Sequence, residues 1–360
     1  MRIKKLDWYI LKQFLQTFVF VVILLVVVIC VIDYTERNGD FLRSNVPFDQ
    51  IFGVYYLNFM PYLANMLSPI TIFITAVFVT AKLAAHSEII AILSSGVSFR
   101  RMLMPFVAGA CLIAIGTFFL IGWVIPDANK KRIAFENQYL RTKYYFEGKN
   151  IHMKIGPDAY VYMESYNNHM NVGYQFTLER IEGTTLHSKL KANRIVWEPD
   201  KEMWRLEKVS IRELKDGKEY LSYDLKRDTI INLHPNDFED SYSLHETLTL
   251  PELESLIVKL KDRGAENIEV YLTEKYERYT YPFAIIILTI IGVIVAARKS
   301  REGTGFKIAF GFFLAFIYII FVILSRNMAH VGSMGPLVAS WVPNIIFSVI
   351  GIIMYKAVPK

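Results

Sequence analysis

The residues able to do chemistry are few and poorly grouped for catalysis. The sequence has no His-Glu-x-x-His, no Walker A run, no Gly-x-Ser-x-Gly and no close cysteine pair. Its seven histidines are scattered. His86 and His330 are the two beside apolar segments, where a lone histidine reads first as a packing or interfacial residue. Cys30 and Cys111 both lie within apolar runs and have no metal-ligand spacing, so they read as small apolar fillers. The stretch with most chemical content runs from Lys82 to Arg101. Residues 87–94 suit a short helix, Gly96 can end it, and Ser98 can cap the next helix. This places Glu88 near the start of a short amphipathic helix. Such a helix fits a groove on a soluble partner, where a carboxylate pairs with an arginine more strongly than neutral groups pair. The plainer reading is a solvated surface carboxylate.

The elements that position these residues are set by charge-free runs. They are Gln13–Ile32 (20 residues), Gln50–Ala81 (32), Met102–Pro126 (25), Tyr279–Ala297 (19), Ile308–Ser325 (18) and Leu337–Tyr355 (19). About 20 apolar residues in a helix cross a bilayer core. The reading is six spans, three at each end of the chain, at about 13–32, 61–81, 102–125, 281–297, 308–325 and 337–355. Aromatic Ile51–Met60 would lie at the interface before the second span. The first span has too long an apolar core for a signal peptide and lacks a small-residue cleavage site.

Lysines and arginines set the orientation. One side carries 13 of them near the spans, including Lys82, Arg100, Arg101, Arg298, Lys299 and Arg301, and the other carries Arg37, Arg43 and Arg326. The positive-inside bias puts both termini in the cytoplasm. The segment from about Asp127 to Thr280 is then outside, with net charge −3, and the membrane part is +9. The overall +6 therefore belongs to membrane flanks, and a nucleic-acid partner is excluded. No span carries a charge in its middle, which leaves no proton or ion relay within the bundle. Asp33 sits at the outer end of the first span with Glu36 and Arg37 a turn on, either as a solvated helix end or as a substrate contact.

The outer segment reads as short strands: Tyr160–Met163, Tyr174–Leu178, Arg194–Trp197, Met203–Leu206, Val209–Leu214 and Tyr220–Tyr223. Turn signals separate them at Tyr166–His169, Glu198–Lys201 and Lys215–Lys218. Such spacing suggests a sandwich or jelly roll with Trp197 and Trp204 in its core. Thr249, Pro251, Glu252 and Glu254 then open a helix ended by Gly264. The expected domains are residues 1–126 with a coupling helix at about 86–95, an outer β-domain over 127–248, a helical connector over 249–280 and a second membrane half over 281–360. The fold class is membrane α-helical, six transmembrane helices in a 3 + 3 arrangement, with an inserted periplasmic all-β, jelly-roll-like domain.

Over nearly its whole length this sequence resembles the lipopolysaccharide export permeases of the LptF/LptG type. The resemblance rests on Leu6-Asp-Trp-Tyr-Ile, Pro61, Pro69, Lys82-Leu, Ser87-Glu88 and Ser95-Gly-Val-Ser98. It also rests on Tyr276-Glu-Arg-Tyr, Pro282, Arg298, Gly311, Gly335-Pro and Trp341-Val-Pro343. The start of the chain leans toward the LptG type. The resemblance implies a transport subunit, not an enzyme, which pairs with a second such permease over a cytoplasmic ABC ATPase dimer. The chain itself would hold no cofactor, since ATP and magnesium belong to the ATPase. Lipopolysaccharide would leave the outer leaflet of the inner membrane through a cavity between the permeases and pass to a periplasmic jelly-roll bridge. Glu88 falls at the coupling carboxylate, with Ser87, Gly96 and Arg100 around it. Spans one and five would line the path, with Phe18, Val22, Val26, Phe316, Ile320 and Phe321 as candidates. Some members carry a lysine at the outer end of span one, where this chain has Asp33. Either Arg37, Arg43 and Arg326 take the phosphate role, or the substrate carries fewer phosphates. Competing readings are another ABC-associated mechanotransmission permease, which usually has four spans, and a membrane-anchored enzyme acting on envelope lipids, which needs clustered titratable groups.

Overall fold

The computed structural model describes residues 5–140, 149–215, 218–238, 244–262, 268–297 and 303–356. The expected turn at Asp216-Gly217, the helix stop at Gly264 and the flanking Arg298, Lys299 and Arg301 lie outside these residues. The chain divides into two compact units. The first holds residues 1–140, 246–253 and 269–360, and the second holds 141–245 and 254–268.

Among the described residues six helices are long and apolar enough to cross a membrane. The helices are α1 Lys5–Arg43, α2 Phe48–Gln50, α3 Leu57–Met66, α4 Ser68–Ala85, α5 Glu88–Ser94, α6 Phe99–Phe119 and α7 Ile125–Phe135. They continue as α8 Leu244–Thr247, α9 Leu250–Asp262, α10 Ile268–Ala297, α11 Gly303–His330 and α12 Pro336–Lys356. Wider π-helical turns at Ile51–Tyr56, Leu120–Val124 and Glu136–Leu140 join or extend neighbouring helices. The first helix runs on past Ile32 to Arg43, 39 residues in all. At 1.5 Å per residue it is about 58 Å long, nearly twice a bilayer core. Its outer turns persist because Phe41 is buried in an aromatic cluster with Tyr55, Tyr56, Phe59 and Phe135. The expected interfacial segment, Ile51–Met60, supplies half of the buried members of that cluster. The second span begins at Ser68, where Pro69 occupies the first turn of α4 and needs no hydrogen-bond acceptor for its nitrogen.

The main membrane core gathers Ile10 and Phe14 of α1, Phe73 and Val77 of α4, Phe106 of α6, Leu288 and Ile291 of α10, and Phe347 of α12. Two glycines let helices approach α4. A Cβ on Gly292 would stand 2.9 Å from the Ala76 Cβ, and one on Gly311 would stand 2.8 Å from the Phe73 ring. Helix backbones in lipid pack through such small residues because apolar side chains gain nothing there by leaving water.

The second unit carries one six-stranded antiparallel sheet in the order β1-β2-β3-β4-β5-β6. The strands are β1 Lys149–Gly156, β2 Ala159–Asn167, β3 Val172–Glu182, β4 Thr185–Glu198, β5 Met203–Lys215 and β6 Lys218–Thr229. The strand β1 is additional to those expected, and the segments expected at Met203–Leu206 and Val209–Leu214 are one strand. Trp204 and Leu206 are buried on β5, then Val209 and Ile211, so the two-residue alternation skips at Lys208. The same skip occurs between Met163 and Tyr166 on β2 and between Ala192 and Ile195 on β4. The ladders keep one register on both sides of this row, and register places Glu164, Gln175, Asn193 and Lys208 side by side. Asn150, Gln175 and Lys208 in alternate strands have left-handed backbones, with φ of 55°, 51° and 52°. A one-residue skip normally turns an apolar face outward. Here the left-handed residues of β1, β3 and β5 absorb it, as a bulge does, so both halves of the sheet feed one core. Trp204 is fully buried there and its indole donates to the Leu233 carbonyl at 2.7 Å. Strand β6 is exposed along almost its whole length.

Candidate functional site

The loop between α4 and α6 takes the expected form. The short helix α5 starts at Glu88, and Ser87 before it has φ 59°. Gly96 follows at φ 85°, a conformation that glycine adopts without Cβ strain. The Ser98 hydroxyl then accepts from the Arg101 amide and caps α6. Buried Ile89 and Ile92 tie α5 to the main core, while Ile90 and Leu93 are exposed. Glu88 is half-buried, with the Tyr9 side chain of α1 close by. An ion pair between Asp7 and Arg101 joins the first turns of α1 and α6 on the same side of the bundle. Arg100 next to it is exposed. The result is a short helix with a defined start and stop, one carboxylate and an exposed apolar pair.

The path candidates separate into two groups. Phe316 and Ile320 are exposed on α11, on a stripe with Phe312, Phe313, Ile323 and Leu324. Phe321 is partly buried, its ring packed on Phe347. On α1, Phe18 packs partly against the main core, Val22 packs partly against the aromatic cluster, and Val26 is buried in that cluster. The exposed stripe of α1 is the opposite one, with Phe20, Ile23, Leu24, Val27 and Val31. Both stripes are unpartnered among the described residues of the chain.

The charged candidates at the outer end are engaged inside the chain. Asp33 pairs with Arg37 at 2.9 Å and accepts from the hydroxyls of Tyr55 and Tyr56 at 3.2 and 3.1 Å. The solvated-end reading of Asp33 thus gives way to a tethered carboxylate that fixes α1 to the aromatic cluster. Arg43 is exposed. Arg326 pairs with Glu277, and with Glu274 at 3.2 Å. Arg278 is 3% exposed and donates to Glu274 and to the Leu248 carbonyl. In the sequence Tyr276-Glu-Arg-Tyr stands out only through the resemblance, which gives no role to Glu277 or Arg278. The signal for one is the three-residue spacing of Glu274 and Glu277 at the entry to a span, where unpaired carboxylates are costly.

The start of α9 is a capping box, as Thr249-x-x-Glu252 signals. The Thr249 amide and hydroxyl donate to Glu252 at 2.8 and 2.7 Å, and Lys130 adds an ion pair at 3.2 Å. The Thr249 hydrogen bonds first, then Lys130, pull the Glu252 carboxyl down to about 2. A depressed acid stabilises the fold above its unfolded value of 4.5 and loses that contribution as pH falls toward 2. Amide hydrogen exchange at the first turn of α9 is therefore expected to speed up as pH drops from 5 to 2, beyond the intrinsic trend. Glu252→Gln is expected to remove that excess. An unchanged profile in Glu252→Gln would show that the box contributes nothing there. Nearby Glu246 shifts the other way, raised by burial and by Glu274.

Six long apolar helices among the described residues and a separate antiparallel sheet unit define a multi-pass membrane protein with a large domain outside its spans. The family model for the lipopolysaccharide export system permease LptF/LptG matches residues 8–357. The chain belongs to that family and is an inner-membrane permease of the lipopolysaccharide export type. No curated protein matches it.

Proposed function

We propose that this chain is one of two permeases that together extract lipopolysaccharide under the drive of a separate ATPase dimer, with both termini in the cytoplasm. In this reading α5 docks in the ATPase through Glu88, supported by Ser87, Gly96 and Arg100. ATP and magnesium are bound by the ATPase, and the permease itself performs no catalysis. The exposed stripes of α1 and α11 face the second permease across a cavity that admits the lipid from the outer leaflet.

The observation that carries the reading is the pair of unpartnered apolar stripes on α1 and α11. Each buried methylene is worth roughly 0.8 kcal/mol, so a lipid with several acyl chains costs tens of kcal/mol to remove from a bilayer unless an apolar route continues. The bent sheet of the second unit, with a single apolar core fed from both halves, supports a jelly-roll-like continuation of that route. Its exposed last strand β6 suits edge pairing with a periplasmic bridge of similar sheets. The anionic headgroup meets Arg43, which is exposed at the outer end of α1, whereas Arg37 and Arg326 are held by carboxylates.

Photo-crosslinkers at positions 20 and 316 are expected to capture lipopolysaccharide in membranes. Crosslinkers at Val26, which faces the aromatic cluster and lies off the proposed route, are expected to capture little. Capture of phospholipid alone at 20 and 316 would overturn the substrate assignment.

A further inference from the structure

The sheet ends on a strand that its own core leaves uncovered. Strand β6 has 12 residues, about twice the usual strand length of 5–6. Among the described residues no strand pairs with its outer side. An edge of this kind presents a row of open backbone N–H and C=O groups. Its large apolar side chains are open as well. Tyr220, Leu221, Tyr223 and Leu225 are 56%, 59%, 75% and 85% exposed. The opposite edge differs, since Ile151, Met153 and Ile155 of β1 pack against the core. A long edge with unburied apolar side chains is a template for another strand.

The order of charges along Lys218-Glu-Tyr-Leu-Ser-Tyr-Asp-Leu-Lys-Arg-Asp228 selects that strand. The segment is complementary to itself when two copies run antiparallel about Tyr223. This register sets Lys218 opposite Asp228 and Glu219 opposite Arg227 in each half. It also sets Leu221 opposite Leu225, Tyr220 opposite Lys226, and Tyr223 opposite its own copy. Opposite charges and apolar pairs facing across strands stabilise a sheet, and like charges there destabilise it. The two nearest registers on either side oppose like charges every time. Lys218 then meets Arg227 or Lys226, Glu219 meets Asp228, or Asp224 meets its own copy. Within the chain Glu219 pairs with Arg212, Arg227 with Asp224, and Asp228 with Arg205 and Lys201. These are surface pairs. The side chains of Glu219, Arg227 and Asp228 are still 42%, 49% and 38% exposed, which leaves each accessible to a second charge across the edge. We propose that β6 pairs with β6 of a second copy of this chain, antiparallel about Tyr223, to make one sheet across the two copies. In the export route the same edge takes a periplasmic bridge. An edge takes one strand at a time, so the self-pair closes β6 in copies that carry no bridge, and a bridge displaces it.

The test uses the full-length chain carrying Cys30→Ser and Cys111→Ser, reconstituted in phospholipid vesicles without ATPase, bridge or lipopolysaccharide. Its outcome is thereby separate from that of the export reading. Single cysteines are placed on β6 and oxidised. Tyr223→Cys is expected to link two copies efficiently. Leu221→Cys and Leu225→Cys each stand four residues, about 14 Å, from their own copy. Each is expected to link poorly alone, and the two are expected to link well when mixed. Glu219→Arg or Arg227→Glu in the Tyr223→Cys chain is expected to lower linking about tenfold, since each reversal turns two facing pairs repulsive. The double reversal is expected to restore linking, which a folding defect would not allow. Equal linking at all three positions alone would overturn the register. No linking at Tyr223→Cys, or linking that ignores both reversals, would overturn the pairing with a second copy. A bridge domain that binds without lowering the Tyr223→Cys linking would overturn the shared edge.

Discussion

Glu88→Ala is expected to lower copurification of the ATPase at least tenfold and to reduce lipid transport in proportion, with the permease still inserted at wild-type levels. The reason starts from the backbone. Helix α5 has only seven residues, too few to be stable alone. It is held by Ile89 and Ile92 in the core and by the Ser98 cap that follows. None of these interactions uses the Glu88 carboxylate, so removing it leaves the element in place. In the proposed docking the variant deletes one charge-assisted hydrogen bond to the ATPase, worth about 1.5–3 kcal/mol, or roughly ten- to a hundredfold in affinity. Glu88→Gln keeps the shape and hydrogen bonding and should fall between wild type and Glu88→Ala. Full copurification and transport in Glu88→Ala would remove this carboxylate from the coupling role. The companion variant Tyr9→Phe takes away only its neighbour in α1 and is expected to have a small effect.

The second large effect concerns stability. Arg326→Ala strands Glu277, whose side chain is 17% exposed, and leaves Glu274 its ion pair with Arg278. Removing one partner of a buried pair leaves an uncompensated charge, usually at a cost of about 3–5 kcal/mol. Arg326 itself is 40% exposed, which lowers the expected loss to about 2–3 kcal/mol. The measurement is the Tm of the purified permease, which should fall by several degrees. Glu277→Gln combined with Arg326→Gln should recover much of that loss, since it removes both opposed charges. Equal destabilisation by the double variant would mean that the guanidinium acts through packing. This network ties α10 to α11, so the outer half of α11 cannot shift against α10 without breaking it.

How far each element is legible in the sequence depends on the physics that controls it. Charge-free runs locate the six membrane helices because hydrocarbon tolerates few other sequences. The end of α1 differs from its hydropathy limit at Asp33, because the helix continues as far as Phe41 can bury against Tyr55 and Phe135. The form of the loop between α4 and α6 is legible to the residue, since Gly96 and Ser98 are local signals that need no tertiary partner. The exposed face of α1 is not. In a helix that is apolar all round, Val26 and Val27 are chemically alike, and only tertiary contact decides that the first is buried and the second exposed. The sheet is legible as strands but not as a bend. Lys208 looks like a gap between two short strands, and only register shows it in line with Gln175 and Asn193. The strand β1 carries the alternation too, with Ile151, Met153 and Ile155 alternating with His152 and Lys154, and a reading weighted to aromatic-rich runs passes over it. The role of Arg326 also depends on a distant partner, 49 residues away in α10.

If the proposed route is right, lipid climbs from the stripe on α11 to the core face of the bent sheet, and does so only with ATP hydrolysis. The decisive experiment uses proteoliposomes holding both permeases and the ATPase, with photo-crosslinkers at Phe316 and at Ile211 in the sheet core. The expected result is lipopolysaccharide at Phe316 without ATP, and at Ile211 only after ATP is added. Equal capture at Ile211 with and without ATP, or none at either position, would contradict the route.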